Sequence, residues 1–400
     1  MSDGRQLFRL HAEKQKIRGE VSLSKVVVRS LRARVGLVAA LAALLVLTAG
    51  AGVFAQQTVV IGTLGPLTGD YASYGVSVAN GVELAVNEAN ASGQYNYVFR
   101  VQKEDTRGDS VQAVNAINKL IELDRVTAIV GAVLSGETMT AGPIAQDEGV
   151  PFITPSATAP AVSEIGDYEF RNVITDDKQS AQMIDYVVNT LGLQRIAVLY
   201  TNNDYGVALR QGVEAGVRAA GAQLVAVESF LDGDSDFTAQ LTNIAAANPE
   251  ALYIAGYYTE AAQIARQAQR IGLNVRIMGA DGFDSPLLVE LGGDAVEGAL
   301  FTSGFDSETD DPAARAFIEA YEAAYGVKPD MFAANAYDSA RIIIQAINQV
   351  GPNRAAVRDA IAATTDFPGV TGPTTFLENG DADKPLLIFE VQNGRFVRVR

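Results

Sequence analysis

The chain has 400 residues, 48% of them hydrophobic and 20% charged, the make-up of a globular protein able to bury large cores over two or three domains. It has no cysteine and one histidine, His11, inside an N-terminal segment that reads as removable. Disulfides, thiolate or histidine-ligated metal sites, and Ser-His-Asp or Cys-His catalysis are therefore excluded for the mature protein.

At the N-terminus, Lys25, Arg29, Arg32 and Arg34 precede the uncharged run "VGLVAALAALLVLTAGAGVFA", and Val53 and Ala55 have signal-peptidase spacing. This predicts a secretory signal over residues 1–55, with a basic extension before Lys25, cut after Ala55. The mature protein is then periplasmic or extracellular. Val35 to Ala55 is also just long enough to span a bilayer, so an uncleaved anchor is the alternative. The lack of cysteine excludes a lipoprotein. Cleavage removes nine Lys/Arg and three Asp/Glu, which leaves 22 basic and 44 acidic side chains, a formal charge of −22. That balance disfavours nucleic acid as a partner.

From Gln57 onward, β-branched runs alternate with amphipathic stretches, the pattern of α/β layers with parallel sheets. The predicted strands are "TVVIGTL", "YVFRVQ", "VTAIVGA", "VPFIT", "RIAVLYT", "QLVAVESF", "ALYIAGY", "VRIMGA" and "ALFTSGF". Between them, Val78, Val82 and Val86, then Val114, Ile117 and Ile121, form apolar stripes at helical spacing. So many strands point to two lobes, with pauses at "YEFRNVITDD" and "FTSGFDSETDDP". Three helical patterns follow Pro312, then "TGPTTFLENGD" and the hairpin "PLLIFEVQNGRFVRV", whose Asn393-Gly394 suits a type I′ turn.

In open α/β sheets ligands bind beyond the carboxyl ends of strands. Here those ends read "GPLTGDYASYG", "SGETM", "TPSATAP", "TNNDYG", "GYYTE" and "GADGFDS". Each suits a turn or helix cap by composition, but six such ends converge. "GTLGPLTG" is not the dinucleotide fingerprint, and no phosphate loop ending in Gly-Lys-Ser/Thr is present, so nucleotides are disfavoured. No cofactor or metal is expected.

In order, "GPLTGDYASYG", "DTRGDSVQAVNAINKLI", "VGAVLSGETM", "FITPSATAP", "NDYGVAL", "YIAGYYTEAAQIARQA" and "MGADGF" resemble the periplasmic leucine/isoleucine/valine-binding protein family, the solute receptors of amino-acid ABC importers. The resemblance covers Gln57 to Arg400. It implies the type I periplasmic binding protein fold, two Rossmann-like lobes joined by three crossover strands around a central ligand cleft. The lobes would be 57–174 with 305–380, and 175–304 with 381–400, with crossovers near Ile174 to Asp177, Gly304 to Asp306 and Asp381 to Lys384. It implies a non-catalytic monomer that hands an amino acid, most simply a branched-chain or aliphatic one, to membrane permease subunits.

Carried over by residue, the resemblance assigns Ser135 and Thr158 to the ligand α-carboxylate. It assigns the Ser156 carbonyl and the Asp281 side chain to the α-ammonium. Tyr74, Tyr205, Tyr257 and Phe332 would close over the ligand, and Val133, Leu134 and Ala157 would line its side-chain pocket. A buried zwitterion needs donors at one end and acceptors with negative charge at the other, which these side chains supply. Two departures bear on the ligand. Asp281 stands where the archetype has glutamate. Glu137, where the archetype has a small hydroxyl residue, reads as a solvated helix-start carboxylate; turned into the cleft, it would favour a polar or basic ligand side chain. Competing readings are a receptor for amides, urea or aromatic acids, a sensor that needs a separate output partner, and an exported hydrolase. The acid at Asp281 argues against the first. The missing histidine and cysteine leave the last only a pair of carboxylates.

Overall fold

The computed structural model describes residues 56–400. The predicted signal, its basic extension and the alternative anchor all fall outside the described residues. Within these, no helix is long and apolar enough to cross a membrane.

The first sheet holds β1 (Thr58–Gly65), β2 (Val98–Asp105), β3 (Ala128–Val130), β4 (Phe152–Thr154) and β5 (Glu169–Arg171) in the order β2-β1-β3-β4-β5, with every neighbouring pair parallel. Between the strands run α1 (Ala72–Ser92), α2 (Ser110–Asn118) and α3 (Ser135–Asp147). The second sheet has the order β15-β14-β10-β9-β8-β6-β7. It contains β6 (Arg195–Thr201), β7 (Gln223–Phe230), β8 (Ala251–Ala255), β9 (Arg276–Met278) and β10 (Leu300–Ser303), all parallel to their neighbours, with β14 (Leu387–Gln392) and β15 (Arg395–Arg398) added antiparallel. Its helices are α4 (Asp176–Asp185), α5 (Asp204–Ala219), α6 (Thr238–Ala246), α7 (Tyr258–Arg270) and α8 (Pro286–Gly292).

Central strands such as β8 are buried at every residue, as expected when helices cover both faces of a parallel sheet. Each predicted strand is present to within a few residues. The predicted C-terminal hairpin is β14–β15, and Asn393 and Gly394 both have positive φ, as a type I′ turn requires.

After β10 the chain leaves the second sheet for α9 (Pro312–Tyr325), α10 (Met331–Val350) and α11 (Arg354–Ala362), then a small sheet of β11 (Phe367–Gly369), β12 (Gly372–Phe376) and β13 (Ala382–Asp383). Helix α10 packs along α1, so this block belongs with the first sheet. The approach is close: a Cβ at Gly81 would lie 2.2 Å from the Ala333 carbonyl oxygen. The return to the second sheet at β14 is tied down by buried Arg171, whose Nε donates to Asp381 Oδ1 at 2.9 Å.

The stretch read as a pause, "YEFRNVITDD", contains β5. Its inward Glu169 and Arg171 are both buried, so it lacks the apolar pattern of a strand.

Candidate functional site

The order of the first sheet reverses between β1 and β3, and that of the second between β6 and β8. The crevices beyond those strand ends are where α/β folds place ligands, and the two face each other here.

The first wall is built on the ends of β3 and β4. Val133 and Leu134 follow β3 and are buried, and Ser135 opens α3. After β4, Thr154 Oγ1 donates to the Ala132 carbonyl and accepts the Ala157 amide, both at 2.9 Å. Ser156 Oγ donates to the Val133 carbonyl at 2.7 Å, and the Ala159 amide donates to Ser135 Oγ at 3.3 Å. Asn335 on α10 holds the Pro155 carbonyl at 3.0 Å. "TPSATAP" is therefore a turn fixed from three directions, and Ser156, Ala157 and Thr158 are buried in it. The hydroxyl of Thr158 has no hydrogen-bond partner among the described residues.

The second wall carries Tyr205 in the first turn of α5, which Asn203 caps by accepting the Gly206 amide at 3.0 Å. The Tyr205 ring stacks on Tyr257, with centroids 5.0 Å apart. Its hydroxyl donates to Asp281 Oδ1 at 2.9 Å and accepts the Gly282 amide at 3.0 Å. Gln179 Nε2 also reaches Asp281 Oδ1, at 3.2 Å. Burial pushes the Asp281 carboxyl up to about 6, against the hydrogen bonds from Tyr205 and Gln179, which pull it down.

Between the walls, Tyr74 from α1 stacks on Phe332 from α10 with centroids 4.4 Å apart. Its hydroxyl bonds the Gly282 carbonyl and the Tyr258 amide of the opposite lobe. All eleven residues expected from the sequence to form a site are thus buried along these facing strand ends and helices.

Glu137 differs from the expectation of a solvated carboxylate, for it is 1% exposed. One oxygen accepts the Leu134 amide at 3.2 Å, closing a capping box on α3, and the other accepts the Thr106 hydroxyl. Burial pushes it up to about 7. Its hydrogen bonds belong to the helix start, so it supplies no argument for a basic ligand.

Sequence reasoning missed Tyr71, Tyr258 and Gln179. Tyr71 meets Tyr257 edge-on at 4.7 Å, and the Tyr258 hydroxyl donates to the Asp70 carbonyl at 2.7 Å. The doubled tyrosines of "DYASY" and "GYYTE" were the available signal. Among the described residues, no acidic or histidine cluster is arranged to hold a metal ion.

Two α/β lobes with polar strand ends meeting at a shared cleft define a bilobal small-molecule-binding protein. The periplasmic binding protein family matches residues 58–395, and the chain belongs to it. It is 30% identical over 88% of its length to Leu/Ile/Val-binding protein homolog 3 of Brucella melitensis, covering 96% of that protein. It is 34% identical over 82% of its length to the leucine-, isoleucine-, valine-, threonine- and alanine-binding protein of Pseudomonas aeruginosa, covering 88% of it. Among solved structures, the leucine-binding protein LivK of Thermotoga maritima superposes with a TM-score of 0.82 at 34% identity, over 86% of this chain and 98% of that one. The branched-chain amino acid transporter substrate-binding protein LivJ of Streptococcus pneumoniae, in complex with isoleucine, superposes with a TM-score of 0.79 at 32% identity, over 86% and 100%.

Proposed function

We propose that this protein is the extracytoplasmic receptor of an ABC importer. It binds an α-amino acid with an aliphatic side chain between its lobes and delivers it, chemically unchanged and as a monomer, to membrane permease subunits. The observation that carries this reading is the meeting of complementary ends. The first lobe buries the Ser156 carbonyl and the Thr158 hydroxyl in a turn that Asn335 holds, the second buries the Asp281 carboxylate under the Tyr205 hydroxyl, and the rings of Tyr205, Tyr257, Tyr74 and Phe332 run from one lobe to the other. An amino-acid zwitterion matches that polarity, whereas amides, urea and aromatic acids bring no cation for Asp281. The four proteins described above are all named for branched-chain amino acids, one of them for threonine and alanine as well. The moving bodies are 57–174 with 305–380, and 175–304 with 381–400. Neither wall satisfies both ends of the ligand alone, so binding favours the closed arrangement.

The test is thermal shift of the exported protein against amino acids, amides, sugars and aromatic acids, followed by calorimetry on wild type and Asp281→Ala. Truncating one partner of a buried charged pair costs about 2 to 5 kcal/mol, so affinity should fall roughly thirtyfold to several thousandfold. Wild-type affinity in the variant would remove Asp281 from the site. A ligand recovered chemically altered would make the protein an enzyme.

A further inference from the structure

Tyr71 stands at the turn into α1 and is 8% exposed. Its carbonyl accepts the Tyr74 amide at 3.1 Å, so it is fixed to the start of the helix that carries Tyr74. Its ring meets Tyr257 edge-on, and Tyr257 stacks in turn on Tyr205, whose hydroxyl reaches Asp281. Three rings therefore run in a row away from the carboxylate proposed for the ligand ammonium, and Tyr71 is the last of them. On the first lobe, Leu134, which the amino-acid reading places against the ligand side chain, closes on the same ring. A Cβ at Gly108 would lie 2.6 Å from Tyr71 Cδ2 and 3.5 Å from Leu134 Cδ1, so both side chains converge on that glycine. A larger residue there would displace the ring.

The charges around that ring are negative. Glu260, in the first turn of α7, acts most strongly on the Tyr71 phenol, ahead of Asp232 and Asp70. Asp232 is engaged by the Thr201 hydroxyl and the Asn203 side-chain amide, and Asp70 is exposed. Glu260 is neither: it is 3% exposed, Oε1 accepts the Gly233 amide at 3.4 Å, and Oε2 has no hydrogen-bond partner among the described residues. The charges that act most on it are the same two acids, Asp232 and Asp70. A buried acceptor left in this way would stabilise any donor that reached it, and a cationic donor most of all. An aliphatic side chain that ends on the Tyr71 ring meets carbon, whereas a basic one would have to pass the ring to pair its charge.

We infer that Tyr71 determines specificity: its ring closes the aliphatic pocket and keeps the ligand side chain from the free carboxylate oxygen of Glu260, so the cleft excludes lysine and arginine although the acid that would pair with them is already in place. The inference rests on the amino-acid reading above and deepens it, for it names the residue that sets the length and charge of the side chain accepted. A smaller residue at position 71 joins the pocket to Glu260 and turns the receptor towards basic amino acids.

The experiment is thermal shift and titration calorimetry of the exported wild type, Tyr71→Ala and Tyr71→Ala with Glu260→Gln, against L-leucine, L-isoleucine, L-lysine and L-arginine. Burial pushes Glu260 up to about 7, so the work is done at pH 8, where it is ionised. Wild type should bind the two aliphatic amino acids and neither base. Tyr71→Ala should bind leucine at least about tenfold more weakly, the low end for a methylene-sized gap in an apolar pocket, and should gain saturable binding of lysine or arginine. Adding Glu260→Gln should remove that gain. Where Tyr71→Ala does not fold, Tyr71→Val takes its place in both variants. No gain of a basic ligand, a gain that survives Glu260→Gln, wild-type binding of lysine as tight as that of leucine, or failure of both substitutions to fold would each overturn the inference while leaving amino-acid binding intact. No response of wild type to any of the four amino acids would overturn both.

Discussion

The Tyr74 hydroxyl on α1 donates to the carbonyl of Gly282 and also accepts the amide of Tyr258 at 3.2 Å, so one side chain of the first lobe satisfies two backbone groups of the second. Tyr74 is 1% exposed, and no water reaches those groups while the lobes touch. Tyr74→Phe keeps the stack on Phe332 but strands both groups in the closed form, whereas in an open form water would satisfy them. Leaving a buried polar group unpaired costs about 1–3 kcal/mol, so the variant should bind its ligand roughly tenfold to a hundredfold more weakly. The ligand-free radius of gyration in small-angle scattering should be equal or larger. Unchanged affinity would mean that this contact is equally satisfied in both forms.

Glu137 makes a different prediction from the residues around it. Because its carboxylate caps α3 and holds Thr106, Glu137→Ala should lower stability by about 1–2 kcal/mol, the usual cost of a lost cap, and Glu137→Gln should recover part of it. Neither change should turn the ligand preference towards basic amino acids. A thermal-shift panel on both variants checks this. A gain or loss of lysine or arginine binding would show that the side chain does face the ligand.

What could be read from the sequence follows from what each pattern encodes. Strands such as β6 and β8 are continuous apolar runs because both faces are buried, so their boundaries are plain in the sequence. β5 was invisible because a buried Glu169 and Arg171 replace the apolar residues that would mark it. β12 was hidden in "TGPTTFLENGD" by glycine and proline, which signal turns, and the two-residue β13 directly after it is too short to show a pattern. In the site, the polar strand ends that carry Ser135, Thr158, Tyr205 and Asp281 were plain after their apolar runs, and the family resemblance then singled out the residues themselves. Gln179 did not stand out, because a glutamine in the first turn of a helix looks like an ordinary solvated position. Only the packing of that helix start between two sheets makes it part of the cleft.

The buried acids set the pH dependence of stability. Burial pushes Asp281 and Asp330 up to about 6, and Glu137, Glu260 and Asp284 up to about 7. Each binds its proton more tightly folded than unfolded. Between the ordinary carboxylate range and about 7 the folded state therefore holds more protons, and stability falls as pH rises through that window. Melting of the ligand-free protein should shift upward on going from pH 7.5 to 5.5. A constant or falling melting temperature over that range would show that these groups are ionised in the fold and compensated by solvent.

The ion pair between Arg171 and Asp381 joins the end of the first sheet to the segment that returns the chain to the second. Arg171 Nε and Nη2 both reach Asp381 Oδ1, at 2.9 and 2.5 Å, and Nη1 donates to the Ala159 carbonyl at 2.6 Å, next to Thr158 in the ligand turn. With the Arg171 side chain 1% exposed, the guanidinium has no water to replace a lost partner. Asp381→Ala therefore leaves a buried cation with only carbonyl and hydroxyl acceptors. Breaking such a pair from one side costs about 3–5 kcal/mol, against at most about 1 for an exposed pair such as Lys328–Glu308. Urea unfolding of the exported protein should show that loss for Asp381→Ala and almost none for Lys328→Ala. Because the same guanidinium holds the Ala159 carbonyl, Asp381→Ala should also weaken ligand binding, although Asp381 lies outside the cleft. A stability loss with wild-type affinity would separate the hinge tie from the ligand turn and show that the Ala159 contact does not position Thr158.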